Sequence, residues 1–214
     1  AIDSMRNPSP PLTRIAPATT MLAAACVILW LADLVWPELG YGLSLIPARL
    51  TGQSYVPGFA APAILTPITM QFVHAGIGHL FLNMVFLIFI GRFVEGLLGP
   101  GRFIALYLVS GIAGALLEVA LSPSSPVPHV GASGAIAGVF AAYAMIFGRR
   151  ADHASERSQA LRLALVWIGL QLAIGFVFNS GGAGGGIAIW AHVGGFLAGL
   201  LLGVPLARDA LRSR

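Results

Sequence analysis

Six stretches of nearly unbroken apolar residues, at about 17–36, 72–91, 103–121, 130–148, 161–179 and 187–207, are separated by short polar or Pro/Gly-rich connections. Each is close to the roughly 20 residues that carry a helix across a hydrocarbon core. Nothing in them alternates with the two-residue period of a strand, and an open sheet would leave backbone groups unpaired in lipid. The pattern predicts an all-α membrane protein with six transmembrane helices. It divides into an N-terminal tail at 1–16, a single membrane domain at 17–207 and a C-terminal tail at 208–214. Residues 1–4, which precede Met5, are set aside from function. The first stretch has no small-x-small exit and is followed by further spans, so it reads as a retained helix and not as a cleaved leader.

Composition agrees: 57% of the residues are hydrophobic and 9% charged, where a soluble domain carries about a quarter charged residues. All twelve basic residues are arginine, and eleven fall on one side of the predicted spans, leaving only Arg49 on the other. Basic residues near spans mark the cytoplasmic face, so both termini are expected there. The high pI then reports topology, and a nucleic-acid partner is not required. The single cysteine, Cys26, lies inside the first span and reads as packing. The five histidines lack the spacing of a metal site, so no metal or cofactor is expected.

Three connections face the outer side. The longest, 37–71, is rich in Pro and Gly with apolar stretches suited to the interface. The second, Ser122 to His129, contains three prolines and reads as a stiff turn. The third, Asn179 to Gly186, contains a glycine run that predicts a swinging gate at the outer end of span five.

Polar residues gather near the outer ends of the even-numbered spans: His79 and Asn83, then Ser133, then His192. At ~1.5 Å per residue they share a depth of about 5–12 Å below the boundary. Ser133 sits between Gly131 and Gly134 at a helix start, where backbone N–H groups lack acceptors and can face a developing oxyanion. A serine that only packs or bonds back to a carbonyl is the bland alternative. An imidazole in hydrocarbon marks a functional candidate, and Gly195, Gly199 and Gly203 follow His192 at intervals of four, as Gly138 follows Gly134. Such stripes let two helices approach closely enough for a general base to reach a hydroxyl. His79 and Asn83, at i and i+4, share a face and can donate to an oxyanion, or simply hold helices together. No carboxylate has a sequence relation to His192, so a Ser133–His192 dyad is favoured over a triad.

In the order Thr69 to Met84, Gly91 to Gly99, Gly131-Ala132-Ser133-Gly134 and Ala191-His192-Val193-Gly194-Gly195, these motifs resemble the rhomboid family of intramembrane serine proteases in its basic six-helix form. The resemblance covers about 66–205. It implies Ser133 as nucleophile, His192 as general base and acid, and His79, Asn83 and the Ser133 amide as the oxyanion site. It also implies an acyl-enzyme, substrates that are single-span membrane proteins, Glu95 as a structural cap, and a bacterial inner-membrane enzyme opening to the outer side. Where the family often carries an aromatic four residues after the serine, this chain has Ala137, which leaves support of His192 to Phe140 or Trp190. An adjacent Trp-Arg pair common in the outer loop of the family is also missing. Two rival readings are a rhomboid-like pseudoprotease that binds membrane clients and a small transporter with an intramembrane His and Asn.

Overall fold

The computed structural model describes residues 16–150 and 188–213, with positions 162, 165, 166 and 169 between them. The fifth predicted span and the glycine run at 181–186 lie outside the described residues, apart from those four positions. The described elements are helical: α1 (Pro17–Val35), α2 (Glu38–Leu43), α3 (Pro47–Leu50), α4 (Thr66–Thr69), α5 (Ile77–Leu98), α6 (Pro100–Leu121), α7 (Ser133–Arg150) and α8 (Ile189–Arg212). Single 3-10 turns flank α4 at Ala63–Leu65 and Met70–Phe72. Among the described residues, four helices are long and apolar enough to cross a membrane: α1, α5, α6 and α8.

The helix boundaries depart from the apolar windows for local reasons. The second helix begins at Ile77 instead of 72, because 66–72 is taken up by short turns and Gly76 breaks the chain ahead of α5. It continues past Arg92 and Glu95, since both find partners inside the protein. The Arg92 guanidinium lies over the Phe89 and Phe93 rings. Glu95 accepts the Ala18 and Thr19 N–H groups at 2.9 and 2.7 Å and the Thr19 hydroxyl at 2.7 Å. One carboxylate thus caps the first turn of α1, whose N–H groups have no intrahelical acceptor. The last helix runs to Arg212 instead of 207, held by Arg102, which donates to Asp209 at 2.7 Å and Ser213 at 2.8 Å.

The helix that opens on Ser133 is the centre of the bundle. From Gly131 to Ala142 every residue but Ser133 is buried. Alanine and glycine dominate it, as suits a helix buried along this length. Small residues also set its distance from α8. A methyl placed on Gly195 would overlap the Gly134 carbonyl, one on Gly199 the Gly138 carbonyl, and one on Gly203 would lie 2.8 Å from Ala142 Cα. Three positions spaced by four on α8 therefore meet three spaced by four on α7, backbone against backbone. The third helix joins them: a Cβ on Gly114 of α6 would strike the Ala191 carbonyl.

The segment 37–71 is folded onto the bundle, with its small helices buried along one side. Leu45 and His129 exchange two backbone hydrogen bonds, 3.0 and 2.7 Å, as an isolated antiparallel bridge. Ala48 N–H donates to Ser125 at 2.9 Å and the Thr51 hydroxyl to Pro123 at 2.9 Å. Arg49 donates to the Ala61 carbonyl. The long loop is thereby tied to the turn that leads into Ser133.

Because the α7–α8 contact leaves no space for a side chain, Gly199→Val is expected to cost at least the ~1–3 kcal/mol of overpacking. Its thermal unfolding midpoint in detergent should fall by several degrees, while Leu201→Val, on the exposed face, should leave it within a degree or two.

Candidate active site

The serine and histidine singled out from the sequence meet. Ser133 Oγ lies 2.7 Å from His192 Nε2, inside the range a general base needs. His192 is the fourth residue of α8 and 4% exposed, while Ser133 is half-buried. Ser133 opens α7, and the first bond of that helix runs from Ile136 N–H to the Ala132 carbonyl at 2.9 Å. The Ser133 N–H therefore has no acceptor within its helix and is available to an anion beside the hydroxyl.

The approach to Ser133 depends on Gly131. Its φ of +123° belongs to the region that favours glycine, and its N–H donates to the Met70 carbonyl at 2.9 Å. A Cβ there would stand 2.6 Å from His79 Cε1 and 2.8 Å from Nε2. The edge of the His79 ring thus rests on the backbone two residues before the serine. Its other nitrogen, Nδ1, faces the Ala75 N–H at 3.5 Å. A neutral ring that accepts there carries its proton on Nε2.

Asn83 is buried one turn beyond His79 on the same face of α5, and its Nδ2 donates 2.9 Å to the His79 carbonyl. This bond uses one of the two amide hydrogens. His74 is buried before α5, its ring edge-on to His79 with centroids 5.2 Å apart. Ala137 is fully buried. Trp190 is 44% exposed and does not serve as an interior support. Phe140 is buried two turns below Ser133, edge-on to Phe86 of α5.

One participant in the geometry reads from sequence only as a group that could hydrogen-bond a loop. Glu118, near the C-terminal end of α6, accepts the Ala191 N–H at 3.3 Å, and its other oxygen is 3.7 Å from His129 Nε2. A carboxylate inside a span was the available signal, since such groups are rarely idle. No sequence spacing links it to α8.

A rhomboid-domain family model matches residues 62–209. The chain is 36% identical to Rhomboid protease GluP of Bacillus subtilis (strain 168) over 146 residues, 67% of this chain and 26% of that protein. It is 30% identical to Putative rhomboid protease YdcA of the same organism over 190 residues, 88% of each chain. It is also 30% identical to Inactive RHOMBOID-like protein 8 of Arabidopsis thaliana over 131 residues, 61% of this chain and 35% of that one. The chain spans 26%, 43% and 56% of the first three curated relatives it matches.

Burial holds His74 at a pKa of about 3 and His129 at about 4, both below the ordinary 6.5. Between those values and 6.5 the unfolded chain binds protons that the folded one refuses, so stability rises with pH across that interval. The unfolding midpoint in detergent should be level above about pH 7 and fall as pH drops from about 6.5 towards 4. A midpoint unchanged down to pH 5 contradicts this.

Proposed function

The chain belongs to the rhomboid family, whose members are generally intramembrane serine proteases, and we propose that it is an active endopeptidase of the six-helix form. In this reading residues 161–179 supply the remaining span, 17–207 form one membrane domain, and 1–16 and 208–214 are cytoplasmic tails. The site opens to the outer side of a bacterial inner membrane. The observation that carries the proposal is the 2.7 Å separation of Ser133 Oγ and His192 Nε2.

Ser133 Oγ attacks the scissile carbonyl carbon as His192 Nε2 takes its proton. The carbonyl oxygen becomes an oxyanion, met by the Ser133 N–H, by His79 Nε2–H and by the second amide hydrogen of Asn83. Collapse breaks the C–N bond, and the imidazolium gives its proton to the leaving amine. The acyl-enzyme is then attacked by water, which His192 deprotonates, and the same proton returns to Ser133 Oγ as the acid leaves. No cofactor or metal enters these steps. The substrates proposed are single-span membrane proteins that present an unwound stretch of their helix.

A non-cleaving reading is favoured by two observations, Ala137 beneath the serine and similarity to a relative described as inactive. Cleavage separates the two. Purified protein incubated with a transmembrane peptide should cut it, and Ser133→Ala and His192→Ala should each abolish the cut. An uncut peptide with folded wild type refutes the protease assignment.

His79 has its own expected signature. Removing one oxyanion donor typically costs about 10²–10³ in rate. His79→Ala should therefore lower kcat by that factor with KM within about threefold, and an equal loss in KM alone would assign the ring to substrate binding.

A further inference from the structure

The proposed chemistry leaves one interior carboxylate without a part. Glu118 is 5% exposed, and a carboxylate inside a span persists only when partnered. Its Oε2 accepts the N–H of Ala191, the third residue of α8 and the neighbour of His192. That N–H is among the four that a helix start leaves without acceptors. One turn earlier on α6, Gly114 lies beneath the carbonyl of the same Ala191 so closely that a Cβ would overlap it. Gly194 in turn meets the Ala113 carbonyl, 2.8 Å from where its own Cβ would be. The residue preceding His192 is thus held on both sides by α6, its carbonyl against a bare backbone and its N–H by a carboxylate.

The other Glu118 oxygen reaches the opposite half of the site. It stands 3.7 Å from His129 Nε2, four residues before Ser133. His129 itself is fixed by its reciprocal backbone bonds with Leu45. One side chain therefore touches both the first turn of the histidine helix and the loop that delivers the serine.

We infer that Glu118 is a positioning residue: through the Ala191 N–H and His129 it sets the depth at which His192 meets Ser133. The inference rests on the Ser133–His192 reading. Glu118 acts through backbone and does not touch the reacting atoms. What matters is the reach of an acceptor oxygen to Ala191, which glutamine preserves. Aspartate shortens that reach by one carbon–carbon bond, about 1.5 Å, beyond hydrogen-bond range.

The test measures kcat and KM for a transmembrane peptide, with the unfolding midpoint, for wild type, Ser133→Ala, Glu118→Gln and Glu118→Asp. Glu118→Gln should keep kcat within about threefold. Glu118→Asp, folded, should lose at least about tenfold in kcat with KM within about twofold. Wild-type turnover by Glu118→Asp overturns the inference. So does an active Asp variant beside an inactive Gln variant, which would make charge the requirement. Failure of the Asp variant to fold, or losses in both that follow the folded fraction, assigns Glu118 to bulk stability and overturns it as well. A wild type no more active than Ser133→Ala sinks the protease reading itself, a result that no Glu118 variant can produce.

Discussion

The contact between α7 and α8 is made of backbone, and the remaining geometry is built upon it. In lipid there is little hydrophobic force to press helices together, so close packing and polar contacts must supply the attraction. Gly134, Gly138 and Ala142 on one helix meet Gly195, Gly199 and Gly203 on the other with no side chain to spare. Rigid surfaces of this kind fix both separation and register. The seam brings the serine at the head of α7 and the histidine in the first turn of α8 within reach of each other, at 2.7 Å.

Among the described residues the two buried carboxylates, Glu95 and Glu118, are both spent on a helix terminus. Glu95 closes the start of α1, and Glu118 accepts from the first turn of α8. Both places offer N–H groups without partners and the positive end of a helix dipole. These two side chains thus act as fasteners between helices near opposite ends of the bundle. The segment 37–71 adds a second kind of fastening, main-chain bonds from Leu45 and Ala48 to the turn before Ser133.

Much of this was legible in the sequence. Apolar length gave the all-helical membrane class, and the glycine spacing marked the seam together with the two residues it joins. Glu95 was readable as a cap through resemblance. Boundaries were less legible: Arg92 and Glu95 looked like the end of a span, yet rings and N–H groups inside the fold absorb them. The shared face of His79 and Asn83 was legible from their i, i+4 spacing, whereas the bond from the Asn83 amide to the His79 carbonyl was not. Glu118 was invisible as a partner of α8, since only the crossing of α6 beneath Ala191 brings them together.

The central claim is that the α7–α8 seam holds an activated serine beside its base within the membrane domain. The most direct measurement is reaction of the protein in liposomes with a fluorophosphonate, followed by mass mapping of the adduct. The account predicts one adduct, on Ser133, whose formation collapses in His192→Ala although the serine is still present. An unmodified Ser133 in folded protein, or labelling that ignores the loss of His192, would contradict it.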